Sequence, residues 1–248
     1  TLCFDGPVDK LDSTAHSQPA LFVCSLAGLQ LLREQSPEVV ESCSLTAGLS
    51  LGEYTAIVFA GAMDFESGLR VVEQRGLAMQ AASDASPSGM VSIIGMDLDQ
   101  VEKLCEDVVE NGETLRVANH LCPGTIVVSG AQAACERIAE SAPQAGAMKA
   151  VRLAVSGAFH TSYMEPAVSR LEEVIQDVHL FPAKIPVISN VDAKPHQDPD
   201  EIRQLLVKQV VAPVLWESSL RYMIGEGCDH FYEVGSGRVL RGLLKRVN

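Results

Sequence analysis

The sequence has no run of about 18 apolar residues, the length a helix needs to cross a bilayer, and no basic, apolar leader at its start. It has no Cys-x-x-Cys pair. The seven cysteines (Cys3, Cys24, Cys43, Cys105, Cys122, Cys135 and Cys228) are odd in number and widely spaced. That excludes a disulfide framework and a clustered zinc site, and it predicts reduced, partly buried thiols. Basic residues are scarce: 19 Lys and Arg stand against 32 Asp and Glu, a net charge of −13. Phosphate backbones would be repelled, so general nucleic-acid binding is excluded and an anionic partner needs a local basic patch. Repeats and low-complexity segments are absent. What is present is ordinary: 248 residues, 47% hydrophobic and 21% charged, enough for one large domain or one carrying a smaller insert. The chain starts with Thr1 rather than Met, which reads as a processed or trimmed product.

The hydrophobic pattern predicts a helix over 18–34 stopped by Pro37, a buried strand over 44–47, a helix over 54–60 and a helix over 64–82 with Asp64 as N-cap. The next stretch reads strand (90–94), helix (98–109), strand (115–119), strand (125–129), helix (131–141) and strand (148–153). This β-α-β-β-α-β order is the ferredoxin-like pattern, and it sets off residues 87–152 as an inserted subdomain. The flanks, 1–86 and 153–248, form the other unit. Their later part reads helix 161–178, strand 186–190, helices 198–211 and 216–225, strand 230–234 and helix 239–246. The class is α/β, with a mostly parallel, helix-covered sheet.

Gly48-x-Ser50-x-Gly52 lies between the strand over 44–47 and the helix over 54–60. A sharp strand-to-helix turn there places a serine in strained backbone geometry at a helix N-terminus. The following N–H, that of Leu51, can stabilise an oxyanion. Ser50 is thus a candidate nucleophile, and it needs a base. Of the six histidines, His179 and His230 fall at element edges and His196 in the polar run AKPHQDPD. His160 follows the small residues Ser156, Gly157 and Ala158 and precedes a helix, which favours it; His16 and His120 stay open.

Taken together, GLSLGEYTAIVFAGAMDF, VEQRG, VSGAFHTSYMEPA, VVAPVLW and YEVGSGRVLRGLLKR resemble the malonyl-CoA:acyl carrier protein transacylase family, along nearly the whole chain. The resemblance implies an α/β-hydrolase-like core with a parallel sheet and an inserted ferredoxin-like subdomain. It implies transfer of malonyl from malonyl-CoA to the phosphopantetheine thiol of acyl carrier protein, through a malonyl-serine intermediate and without a cofactor or metal. By the same resemblance Ser50 is the acyl acceptor and His160 its base, in a dyad oriented by a backbone carbonyl at Gln209. Arg75 grips the malonyl carboxylate, Gln18 and Asn119 line the pocket, and Phe159 excludes a methyl branch. An arginine fork suits a carboxylate, because it binds both oxygens at once. A serine hydrolase or thioesterase would use the same Ser50 and His160 but has no need of Arg75. A non-catalytic binding member of the fold is the third reading.

Two features depart from the family pattern. Members begin with a strand and a Gly-Gln-Gly loop whose glutamine gives a second oxyanion N–H, and nothing of the kind precedes Thr1. The first strand and that donor are therefore expected to be missing from this chain. Many members also have His before the serine, where this chain has Leu49. Leu49, VFAGAM and GAFHT resemble mitochondrial members, which points to the mitochondrial matrix; bacterial cytoplasm and plastid are the alternatives. Residues 234–246 carry Arg238, Arg241, Lys245 and Arg246 and one acid-free helix, so this end, with Lys149, Arg152 or Lys208, is the expected docking face for coenzyme A phosphates or the carrier protein.

Overall fold

Two sheets divide the strands in the computed structural model, which describes residues 2–155 and 157–248. Thr1 and Ser156, the latter in the small-residue stretch before His160, lie outside the described residues. The chain opens with two short helices, α1 (Leu2–Asp5) and α2 (Val8–Leu11), then the long α3 (Thr14–Gln35) and short α4 (Pro37–Glu41). The strand β1 (Thr46–Ala47) leads through the Ser50 turn into α5 (Gly52–Phe59) and α6 (Phe65–Ala85). Next come β2 (Ser88–Ile94), α7 (Leu98–Val108), β3 (Leu115–Cys122), β4 (Thr125–Ala131), α8 (Gln132–Ser141) and β5 (Lys149–Arg152). A 3₁₀ turn (Ser162–Met164) precedes α9 (Glu165–Gln176), β6 (Val187–Ile188), β7 (Pro195–His196), α10 (Pro199–Gln209), β8 (Val214–Leu215), α11 (Trp216–Gly225) and α12 (Val239–Val247).

The larger sheet has the order β5-β2-β4-β3-β8. Its first four strands pair antiparallel throughout, in the arrangement a ferredoxin-like unit requires, with α7 and α8 on one face. β4 sits in the middle, and every residue along it is buried. Val91, Ile93, Val101, Ile126, Val128 and Ile138 form an apolar core beneath the two helices. Asp97 and Gln100 close a reciprocal capping box that fixes the start of α7.

The smaller sheet, β1-β6-β7, is the α/β core's own. β1 and β6 run parallel, as expected for strands separated by helices, and β7 folds back antiparallel on β6. Around it α3, α5, α6, α9 and α10 bury Phe22, Tyr54, Ile57, Val72, Leu171 and Leu206. On α6 the buried positions Gly68, Val71, Val72, Arg75, Gly76, Met79 and Ala82 fall at helical spacing, so Arg75 lies within the inward stripe. Asp64 caps this helix by accepting from the Ser67 N–H at 2.9 Å. At Gly76 a Cβ would come 2.9 Å from the Thr14 carbonyl oxygen; glycine lets α3 approach α6 there and brings Gln18 to Arg75.

Three differences from the sequence reading have physical causes. Residues 230–234 form no strand. They line a cavity of about 840 Å³ together with residues 44–48 and join no ladder. Pro37 does not simply stop the first helix; the break is at Ser36 and Pro37 starts α4, where a missing N–H costs nothing. β8 has no sequence signal: a two-residue strand after Pro213, it pairs parallel with β3 and extends the antiparallel sheet.

Candidate active site

The turn after β1 holds Ser50 at φ +49, a left-handed conformation that a side chain adopts only under tertiary constraint. Gly48 makes the turn possible, since a Cβ there would lie 2.0 Å from the Gly52 backbone. The Ser50 N–H donates to Asn190 Oδ1 at 2.6 Å, and Asn190 Nδ2 donates to the Gly48 carbonyl at 2.8 Å. Asn190, which follows β6, thus holds the turn from both sides. Leu51 stands at the N-cap of α5, so its N–H is placed at the positive end of that helix.

His160 is buried and also in the left-handed region, at φ +61. Its Nε2 is 2.9 Å from Ser50 Oγ and its Nδ1 is 2.9 Å from the backbone carbonyl of Gln209. A carbonyl can only accept, so Nδ1 carries the proton and Nε2 is left to accept from the serine. Burial, and after it the Arg75 charge, lower the imidazole pKa to about 4, so the ring is neutral at neutral pH.

Arg75 reaches the same hydroxyl from the other side. Its Nη2 donates to Ser50 Oγ at 3.0 Å and to Gln209 Oε1 at 2.9 Å, and its Nη1 donates to Gln18 Oε1. The guanidinium lies over the Tyr54 ring, 5.3 Å from its centroid. At 2% exposure Arg75 is a buried cation whose hydrogen-bond partners Ser50, Gln209 and Gln18 are neutral oxygens. Burial pulls its pKa down, with Tyr54 and Glu53 opposing.

Glu53 and Asn190 are members of this cluster that the sequence reading did not single out. Glu53 is 2% exposed; its Oε2 accepts from Gln209 Nε2 at 2.7 Å and from the Asn190 N–H at 3.2 Å. Burial raises its pKa to about 7, against hydrogen bonds from Gln209, Asn190 and Ser189. Glu53 did lie inside GLSLGEY, three residues after the serine; Asn190 had only its place at a strand end as a signal.

The structure brings together Ser50, His160, Arg75, Gln18 and Gln209. Phe159 is half-buried beside His160 and packs against both the α/β core and a small cluster of Met90, Ala118 and Val127. Asn119 lies in the β3 ladder, buried opposite Val214 and Val127, and is not hydrogen-bonded to Ser50, His160 or Arg75. The two open histidines are placed elsewhere: His16 Nδ1 is 2.7 Å from Ser13 Oγ, and His120 Nε2 is 3.1 Å from Glu217 Oε2. The basic residues of α12 are exposed, and Glu233 accepts from the Leu240 and Arg241 N–H groups at 2.9 Å to cap that helix.

Residues 2–241 match the acyl transferase domain family. The malonyl CoA-acyl carrier protein transacylase of Bacillus subtilis is 39% identical over 250 residues, which cover 100% of this chain and 77% of that protein. The mitochondrial malonyl-CoA-acyl carrier protein transacylase of Homo sapiens is 40% identical over 258 residues, covering 100% of this chain and 66% of its own length. Among solved structures, a type II PKS acyl-carrier protein in complex with its malonyl-transacylase matches with a TM-score of 0.94 at 37% identity, over 99% of this chain and 78% of that one.

Proposed function

The chain belongs to the acyl transferase family, and on that premise we propose that it transfers malonyl from malonyl-CoA to the phosphopantetheine thiol of acyl carrier protein through a malonyl-Ser50 ester. The carrying observation is one hydroxyl with two neighbours of opposite purpose: His160 Nε2 at 2.9 Å and Arg75 Nη2 at 3.0 Å. The first can take a proton and the second can hold an acid.

The malonyl carboxylate binds Arg75, whose planar fork offers two parallel donors. His160 takes the Ser50 proton as the oxygen attacks the thioester carbonyl, and the Leu51 N–H stabilises the charge that develops on the carbonyl oxygen. The C–S bond breaks, the thiol of coenzyme A leaves with the proton from His160, and malonyl-Ser50 remains. In the second half the phosphopantetheine thiol gives its proton to His160 and attacks the ester. The C–O bond breaks and Ser50 regains its proton. A thioester is already activated, so the proposed steps call for no cofactor or metal.

The bound carboxylate has a further effect. Arg75 is one of the groups holding the His160 pKa down. Pairing Arg75 with a substrate anion cancels that influence and makes the imidazole a better base when malonyl is in place. Phe159, next to His160, is the proposed wall against a branch at the α-carbon. For compartment the proposal is the mitochondrial matrix, supported by the 40% identical human relative; the Bacillus subtilis relative stands level at 39%.

Intact mass after incubation with malonyl-CoA tests the reaction. A malonyl adduct on Ser50 that acyl carrier protein discharges supports transfer. Hydrolysis of malonyl-CoA with no adduct and no labelled carrier protein would overturn it.

A further inference from the structure

Glu53 is a buried carboxylate with no part in the proton transfers above. It stands in the first turn of α5, and two of its partners, Gln209 and Asn190, are groups that hold the nucleophile. Gln209 donates from the same Nε2 to the Ser50 carbonyl at 2.9 Å, accepts from Arg75 at Oε1, and receives His160 Nδ1–H at its backbone oxygen. Asn190 holds the Ser50 N–H. An ionised carboxylate accepts and never donates. It therefore draws the NH₂ end of the Gln209 amide toward itself, and the planar amide must aim Oε1 the other way, at Arg75. A reversed amide would set its donors against those of the guanidinium, inside a site from which water is excluded.

We infer that Glu53 is a positioning residue whose carboxylate fixes the donor–acceptor orientation of the Gln209 amide and, through it, the placement of the Arg75 guanidinium toward the acyl carboxylate. This rests on the malonyl-transfer reading. It assigns acid selectivity partly to a residue that hydrogen-bonds Gln209 rather than Arg75. The groups around Glu53 are Tyr54 on α5, Arg75 on α6, Ser189 and Asn190 after β6, and Gln209 on α10.

Glu53→Gln removes the acceptor-only character at nearly constant size, because either end of the new amide can face Gln209. The expected result is a rise of about tenfold in the malonyl-CoA KM, with kcat changed by about threefold or less, so that the preference for malonyl-CoA over acetyl-CoA in Ser50 acylation falls about tenfold. Glu53→Asp keeps an acceptor-only group and is expected to keep more of that preference. A folded Glu53→Gln protein with the wild-type preference, or with both acyl donors slowed alike, would overturn the assignment.

If the Gln variant does not fold, the wild-type protein decides. Glu53 titrates near 7, so its malonyl-CoA KM is expected to rise relative to the acetyl-CoA KM from about pH 8 to about pH 6. Arg75 stays charged and Tyr54, at about 12, stays neutral over that range. A flat ratio overturns the assignment. Absence of any malonyl-Ser50 in the wild-type protein is a separate result, and it overturns the transfer reading itself.

Discussion

The two layers of this molecule are built on opposite principles. The antiparallel sheet with α7 and α8 has strands of four to eight residues and a core of aliphatic side chains. The layer around Ser50 has strands of only two residues, yet it buries Glu53, Arg75, His160, Asn190 and Gln209. Apolar burial stabilises the first layer outright, at about 25 cal/mol per Å². In the second, each buried polar group must recover a desolvation cost through its partners, and the gain is orientation rather than stability. The second layer has an apolar core of its own, with Phe22, Ile57, Val72 and Leu171, but it alone adds a buried polar cluster to that core, and four expected outcomes follow from that difference.

His160→Ala should slow Ser50 acylation by about 10²–10⁴-fold while its melting temperature at neutral pH stays near the wild type, measured by rapid-quench labelling and calorimetry. Arg75→Ala should lower kcat/KM for malonyl-CoA by about 10- to 100-fold and lower it much less for acetyl-CoA, because only one of the two donors carries an acid. Ile138→Ala, in the aliphatic core, should do the reverse. It should lose about 2–5 kcal/mol in denaturant melts and leave the malonyl-to-acetyl preference at the wild-type value. Charge reversal at both Arg238 and Arg241 should raise the KM for carrier protein by about two- to fivefold at low salt, with the effect fading as salt screens it. An Ile138→Ala protein with altered acyl preference would contradict the difference most directly.

The pH response should come from the layer around Ser50, where two shifted groups act in opposite directions. The His160 pKa is depressed from 6.5 to about 4, so its contribution to stability is full above 6.5 and is lost as pH falls through 4. The Glu53 pKa is raised from 4.5 to about 7, so its contribution is full below 4.5 and is lost as pH rises through 7. The two oppose each other across the same window. Replacing His160 by Ala should therefore shift the pH of greatest thermal stability toward acid, a change visible in melts taken at several pH values.

Much of this was legible in the sequence because it is local. The Gly48-Ser50-Gly52 turn, the Asp64 cap of α6 and the alternation of strands and helices in residues 87–152 are each set within one turn or one strand. His160 was less so: neighbouring residues favoured it, but pattern alone left His16 and His120 open, since a base is defined by what it faces across 110 positions. Glu53, Asn190 and β8 were missed for the same reason. A carboxylate three residues from a serine reads as a helix-start acid until Gln209 is seen beside it. Strand 230–234 was over-read: its residues suit a strand, but pairing is not a local property, and in the structure they line a cavity instead.

β8 gives the fold a consequence beyond its two residues. It pairs with β3 on one side, and on the other its Leu215 N–H donates to the Asn190 carbonyl at 2.8 Å. Asn190 is also the residue that grips the Ser50 amide. The antiparallel sheet is therefore sutured to the Ser50 turn through β8, besides the places where the chain enters and leaves that sheet. Excised or replaced as a cassette, residues 88–152 would carry away one wall of the seam that keeps Asn190 in register, so that sheet is a structural member of the layer around Ser50 rather than an ornament on it.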